Sequence, residues 1–315
     1  MDKIISVPTA KMTREEWLEA RKGGIGGSDA AGIVGLSAYS SPYSVWADKT
    51  GRMPDKEDTE AMRIGRDLEQ YVAERFCEAT GEKVQRRNAI LINPKYPFAH
   101  ANVDRLVVGE DAGLECKTTS MLNVKHFKDG VDFPERYYVQ CVHYLAVTGC
   151  HHWYLAVLVL GEGLHIYTMD RDEDEIRALM EAEKRFYEDY ILTDCPPPVD
   201  GSSATSEAIS ATFHGGDGGT VALIGRESLM QEYADIKAGI KEQEERLTEI
   251  ENIIKTDIGD ADGGECEGFK VSWKPQTRKT FDAKKFAADN PTANLAPYYK
   301  ESSSRPFKVT AKKGA

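Results

Sequence analysis

The sequence predicts an α/β protein in which helices flank a mixed central sheet. Segments alternate in the order helices, strands, helix, strands, helix over residues 13–192, the pattern of a sheet covered by helices. Residues 153–160 form a continuous apolar run bounded by polar residues, which fits a strand buried on both faces. Residues 196–219 are rich in Ser, Thr, Gly and Pro and read as a linker to a different C-terminal part. The expected division is a first domain at 1–195, a linker at 196–220 and a C-terminal region at 221–315.

Taken in order, residues 13–22 read as an amphipathic helix, with Thr13 as its cap and Glu16 completing a capping box. The turn that follows, GGIGGSDAAGIVG, is no dinucleotide fingerprint, because no strand precedes it and no G-x-G-x-x-G register fits. It reads either as a plain connection between helices or as a turn in which Ser28 caps a helix of small residues. In the second case the free N–H groups suit a phosphate, and Arg21 adds a bidentate contact. Residues 39–51 continue as a helix ending at Gly51. A longer helix at 60–80 sets Ile64, Leu68, Tyr71, Val72, Arg75 and Phe76 at helical spacing. Glu69 lies among them, either solvated at the edge of the stripe or aimed at a metal.

Strands at 84–88 and 90–93 lead toward a hairpin, and 134–148 returns to helix, with Gln140 and Tyr144 one turn apart on one face. Residues 164–169 pair with the 153–160 strand across Gly161, Glu162 and Gly163, and a charged helix at 172–192 ends before Pro196. Beyond the linker, Leu229, Tyr233, Ile236, Ile240, Gln243, Leu247, Ile250 and Ile254 alternate steps of four and three. That is a coiled-coil seam with one polar member, and it needs a partner in this chain or another. A small basic segment closes the sequence, with strands expected at 269–273 and 307–310.

At 315 residues, with 41% hydrophobic and 29% charged residues, the chain has the length of about two domains and the composition of a soluble globular protein. No apolar run approaches the roughly 20 residues that span a bilayer, and residues 1–17 lack a signal-peptide core, so no membrane association is expected. The six cysteines show no C-x-x-C pair and no zinc spacing, which fits reduced thiols and a cytoplasmic protein. A net charge of −12 argues against loose coating of nucleic acid. Residues 266–315, however, hold eleven Lys or Arg against four Asp or Glu, so a local basic surface is compatible with the overall sign.

The chemistry concentrates in HANVDRLVVGEDAGLECKTT, residues 100–119. Two apolar runs, 106–108 and 114–116, flank Gly and Asp and read as a hairpin. Alternation along the second strand puts Glu115 and Lys117 on one face and Cys116 on the other. Asp104 on the partner strand then brings two carboxylates and one ammonium together, an arrangement that a hard cation such as Mg²⁺ or Mn²⁺ compensates. A lysine beside such an ion can position the attacking water and stabilise charge developing on a phosphate.

Asp, a gap, then Glu-x-Lys resembles the core of the PD-(D/E)xK nucleases. With RKGGIGGSDAAGIVG from Arg21, RIGRDLEQYV with Glu69, and Gln140-x-x-x-Tyr144, residues 12–195 resemble the YqaJ-type viral recombinases, the phage lambda exonuclease family. The usual proline before the first aspartate is absent, its place taken by Asn102-Val103. The resemblance implies a restriction-endonuclease-like fold and a nuclease domain at 1–195. It also implies a 5′→3′ exonuclease acting on linear double-stranded DNA ends and making 3′ tails for recombination. By the same resemblance Asp104, Glu115 and the carbonyl of Cys116 hold one Mg²⁺, and Asp104 and Glu69 share a second. Lys117 orients the water, Gln140 orients groups beside it, Tyr144 packs beneath the site, and Arg21 and Ser28 grip the terminal 5′ phosphate. The implied partners are a single-strand annealing protein and further copies in a ring, a trimer, in a bacterial host cell with a phage or prophage origin.

Two other classes stand beside this one: an endonuclease of the same superfamily, and a non-catalytic recombination scaffold. His151 and His152 read as structural or exposed, and His100 as solvated at a strand end. The aromatic residues of the basic tail, Trp273, Phe281, Tyr298 and Tyr299, favour nucleic-acid or protein contact.

Overall fold

The computed structural model describes residues 3–54, 58–127, 133–300 and 305–310. They form two compact units, Met1–His214 and Gly215–Ala315. The first unit opens with β1 (Ile5–Pro8), α1 (Arg14–Lys22), β2 (Ile25–Gly26), α2 (Gly27–Ile33), α3 (Pro42–Lys49) and α4 (Glu60–Thr80). Next come β3 (Val84–Arg86), β4 (Ala89–Ile92), β5 (Ala99–His100), β6 (Arg105–Val107) and β7 (Ala112–Ser120). It closes with α5 (Glu135–Thr148), β8 (His152–Leu160), β9 (Gly163–Asp170), α6 (Glu173–Phe186) and α7 (Ser203–Thr212).

Local chemistry sets these boundaries. The capping box of α1 is complete: the Glu16 amide donates to Thr13 Oγ1 at 3.2 Å and the Thr13 amide to the Glu16 carboxylate at 2.8 Å. Helices α4 and α5 stop at Gly81 and Gly149, both in the left-handed region that a Cβ disfavours.

The central sheet runs β3-β6-β7-β8-β9. Only β7 and β8 are parallel, joined through α5, while the other neighbours are antiparallel. Helices cover both faces, so β8 is apolar from Trp153 onward. Its Trp153, Leu155, Val157 and Val159 join the core containing α5 and α6, and its Ala156 and Leu158 meet Val72, Ala73 and Phe76 of α4. The mixed sheet flanked by helices is the architecture expected from the order of segments.

Several boundaries differ from expectation. The strand anticipated at 84–88 ends at Arg86, and β4 leaves the main sheet to pair with β1. Ile64 and Tyr71 of the α4 stripe are exposed, and Ala73 is buried in their stead. The charged helix widens into a π-turn at Tyr187–Ile191. Most clearly, the composition-based linker contains α7: Ser202 caps it, Ala204, Thr205 and Ala208 are buried, and Thr205 Oγ1 donates to Ser41 Oγ at 2.7 Å. Small residues that look like a linker here allow close helix packing on α3.

The second unit holds α8 (Glu227–Ile258), the hairpin of β10 (Gly263–Cys266) and β11 (Phe269–Ser272), and α9 (Ala283–Asp289). The 32 residues of α8 give it a length of about 48 Å. Residues 307–310, expected as a strand, have no regular structure, and Phe307 sets its ring edge-on to Tyr233 at 6.1 Å. Among the described residues no helix is long and apolar enough to cross a membrane.

Candidate active site

Register builds the site. In the β6–β7 hairpin Arg105 lies opposite Leu114 and Leu106 opposite Gly113. A Cβ at Gly113 would fall 2.2 Å from the Trp153 ring, so this position needs glycine for the hairpin to close on the buried tryptophan. Along β7, Glu115 and Lys117 lie opposite Leu155 and Val157, on the α5 side of the sheet, while Cys116 faces α4.

Four side chains meet on the α5 side. Lys117 Nζ donates to Glu115 Oε1 at 2.5 Å, and Gln140 Nε2 donates to the same oxygen at 2.8 Å and to the Tyr144 hydroxyl at 2.8 Å. Asp104 Oδ2 accepts from the Cys116 amide at 2.8 Å, which ties the aspartate to the strand that carries the glutamate and lysine. The Tyr137 ring lies 5.4 Å from Lys117 Nζ.

The balance of charge is what distinguishes this cluster. Burial, then the neighbouring Glu115, push the Asp104 carboxyl well above the usual carboxylate range, only partly offset by Lys117. Burial works against the Lys117 charge, but Glu115 and Asp104 outweigh it and hold the ammonium above its ordinary pKa. Burial likewise raises the Cys116 thiol, helped by Asp104, so the side chain is an inert thiol and only its main chain is available. Glu115 Oε2 is buried and takes no hydrogen bond from any described residue, an expensive state for a carboxylate oxygen.

Two carboxylates, one ammonium and an orphaned oxygen suit a hard divalent cation. Among the described residues no three His, Cys, Asp or Glu side chains form a ready cage. A pair of carboxylates with a main-chain carbonyl leaves the other positions to water and substrate oxygens, the usual manner of Mg²⁺.

Glu69 is placed differently from the other acids. It projects from α4, and its Oε1 accepts from Arg105 at 2.5 Å, with Arg86 at 3.6 Å. Arg105 is buried and also donates to the Asp104 carbonyl at 2.7 Å and to Gln70 at 3.1 Å. The Glu69 charge is close enough to contribute to the raised Asp104 pKa. Sequence reasoning missed Arg105. Its signal was available: a charged residue at an inward position of a strand, beside an aspartate and in register to face the helix that carries Glu69.

The glycine-rich turn brings Arg21 and Ser28 together, with Arg21 donating to Ser28 Oγ at 3.0 Å. Ser28 is not the cap. The cap is Gly26, whose amide is taken by Asp29 at 2.8 Å, because Asp29 rather than Ser28 reaches back across the turn. Lys49 pairs with Asp29 at 2.6 Å and donates to the Arg21 carbonyl at 2.9 Å. Arg21 Nε and His100 Nε2 are buried with no hydrogen-bond partner among the described residues. His100 is therefore not solvated, as its place at a strand end suggested, but closed in beneath Gly24 and Gly26. Burial, then Lys49 and His143, depress its pKa to about 3.

This turn rests on the site. A Cβ on Gly27 would sit 2.6 Å from the Tyr144 ring, and Tyr144 is two hydrogen bonds from Glu115 through Gln140. His143 packs behind, fully buried, bonded to Glu183 at 2.9 Å and to the His100 carbonyl at 2.9 Å. His151 and His152 stand apart, near Asp111 and Glu110.

Asp104, Glu115 and Lys117 thus converge on one hairpin of a mixed α/β unit, with Glu115 buried. The model of the YqaJ-like viral recombinase domain matches residues 16–151. The protein named Uncharacterized protein YqaJ of Bacillus subtilis (strain 168) is 40% identical over 282 residues, which cover 88% of each chain. The chain belongs to the YqaJ-like viral recombinase family. Among solved structures, the alkaline exonuclease LHK-Exo of Laribacter hongkongensis is similar at 22% identity and a TM-score of 0.48, over 57% of this chain and 93% of that one. A phage-related exonuclease of Haemophilus somnus 129PT is similar at 12% identity and a TM-score of 0.42, over 54% and 96%.

Proposed function

We propose that this protein is a Mg²⁺-dependent 5′→3′ exonuclease that digests linear double-stranded DNA and leaves 3′ single-stranded tails for recombination. The observation that carries this reading is the convergence of Asp104, Glu115 and Lys117 on one hairpin, with an unpaired oxygen of Glu115 buried between them. Asp104, Glu115 and the Cys116 carbonyl would hold one ion. Glu69 with Asp104 would hold a second once Glu69 exchanges its Arg105 contact. Bound there, Mg²⁺ or Mn²⁺ supplies Lewis acidity toward the scissile phosphate and a more acidic water.

The chain's own groups do the rest. Lys117 orients the attacking water and offsets charge on the phosphate, and Gln140 fixes the Glu115 carboxylate that faces it. Water attacks phosphorus, the bond to the 3′ oxygen of the terminal nucleotide breaks, and that oxygen leaves with a proton. The next nucleotide keeps the phosphate on its 5′ oxygen. Each cut thereby regenerates the 5′ phosphate that Arg21 and Ser28 would grip. Support for that grip is the shared turn, the unpaired Arg21 Nε and the packing of the turn on Tyr144. A single-strand annealing protein would receive the tails, and copies of the chain would assemble as a ring, a trimer, in the cytoplasm of a bacterial host.

The test is digestion of linear duplexes with matched 5′-phosphate and 5′-hydroxyl ends, alongside a closed circle and a chelator control. Loss of phosphorylated linear DNA with an intact circle is the expected result. Nicking of the circle would instead establish an endonuclease. No cleavage with either Mg²⁺ or Mn²⁺ would leave a scaffold.

A further inference from the structure

Among the described residues, the most regular apolar surface without a partner is the face of α8. None of its 32 residues is buried, yet Ile236, Ile240, Leu247, Ile250, Ile253 and Ile254 are large apolar side chains open to solvent. Leu229, at the start of the seam, is exposed and Tyr233 is half-buried beside Phe307, so the longest uninterrupted open stretch runs from Ile236 to Ile254. In heptad terms Ile240, Leu247 and Ile254 occupy a positions, and Ile236, Gln243 and Ile250 occupy d positions.

The flanking charges identify what covers this face. Of the four g positions, Gly239 and Ile253 are uncharged, while Glu232 and Arg246 are charged and the e positions five residues after them carry Lys237 and Glu251. Between parallel helices in register, each g residue meets the e residue five places on in the neighbour. Glu232 then meets Lys237, and Arg246 meets Glu251, with opposite sign at both places. An antiparallel pairing with Gln243 opposite Ile240 keeps only the contact of Lys237 with Glu244. The polar layer discriminates in the same direction. Parallel copies set Gln243 beside Gln243, where the amides hydrogen-bond each other, whereas antiparallel copies set it against Ile240 and leave it unsatisfied. Arg246 and Glu251 also pair within the helix, with Glu249 at 2.7 Å and Lys255 at 2.9 Å, but exposed pairs of this kind exchange at little cost.

We propose that α8 is a homotypic interaction surface: it binds the same helix of other copies of this chain, parallel and in register, through Ile236 to Ile254. The inference does not rest on the nuclease reading, and its test uses neither DNA nor metal.

The test takes the full chain with the exposed Cys195 and Cys266 replaced by Ser. Gln243→Cys is expected to form an interchain disulfide on mild oxidation, read as doubled mass on a non-reducing gel. Glu245→Cys, at the outward f position, is expected to stay monomeric on that gel. Lys237→Glu in the Gln243→Cys background should lower the cross-linked yield about tenfold at limiting concentration, by turning an attraction into a repulsion in every copy. Adding Glu232→Lys should restore it. Failure of Gln243→Cys to cross-link overturns the proposal, and the face is then covered by the chain's own tail or by a different protein. Equal cross-linking at 243 and 245, or no rescue by the charge exchange, overturns it as well.

Discussion

Replacing Lys117 by methionine probes the charge balance of the candidate site directly. The ammonium lies 2.5 Å from Glu115 Oε1, with 4% of the glutamate side chain and 24% of the lysine side chain exposed. Breaking one side of a buried ion pair costs about 3–5 kcal/mol, and the partial exposure of Lys117 places this case near about 3 kcal/mol. At roughly 2–4 °C per kcal/mol for a unit of this size, the melting temperature in a chelator should fall by about 6–12 °C. Methionine fills similar volume, so little of the loss comes from packing. With the competing ammonium gone, the carboxylates should bind a divalent cation more tightly than in the parent. Mg²⁺ at a hundred times its Kd returns about 2.7 kcal/mol, so the gap between variant and parent should narrow sharply. Melting curves of both proteins, in chelator and across a Mg²⁺ titration, decide the matter. A gap of the same size with and without Mg²⁺ would refute the idea that these carboxylates are arranged for a cation.

Other outcomes follow from the same geometry. Lys117→Ala should leave DNA binding intact in a gel-shift assay while cleavage falls by at least about a hundredfold, the scale of a lost electrostatic contribution to the transition state. Arg21→Ala should reduce the preference for 5′-phosphorylated over 5′-hydroxyl ends by roughly tenfold or more, the worth of a charged hydrogen bond, in rates measured on matched duplexes. His100 titrates near 3 when folded and near 6.5 when unfolded, so the unfolded chain binds the extra proton. Its stabilising contribution is present above pH 6.5 and is lost as pH falls toward 3, at up to about 1.4 kcal/mol per pH unit. Denaturant midpoints of His100→Gln should flatten that slope. His143, raised by its Glu183 contact against the opposing effect of burial, acts with the opposite sign and only above pH 6.5. Gly113→Ala should destabilise by at least about 1–3 kcal/mol, because the added methyl overlaps the Trp153 ring.

Much of this was legible because alternation is local. The face shared by Glu115 and Lys117, the hairpin that bears them and the Gln140–Tyr144 helix all follow from period and turn chemistry, and each stands as expected. What was not legible depends on residues far apart in sequence. Nothing near Glu69 announces that Arg105 holds its carboxylate, and nothing near His100 says that Gly24, Gly26 and Lys49 enclose it. The misplaced cap shows the same limit at short range. Ser28 and Asp29 are both good cap residues, and only the path of the turn decides that Asp29 reaches the Gly26 amide. Composition misled at 203–212 because Ser, Thr and Ala serve a flexible tether and a tightly packed helix equally well.

The bond between Thr205 and Ser41 joins positions 164 residues apart, and Arg52 reaches Asp194 across 142. Both clasps hold α3, which follows the Arg21 turn and supplies Lys49 to it. On the ribosome, where the chain emerges from its N-terminus, the first fifty residues must wait for α7 before their final supports exist. The unit therefore finishes folding late, after nearly all of its own length has been made. A turn near the N-terminus that depends on contacts from residues 194 and 205 stays short of its final supports throughout most of synthesis.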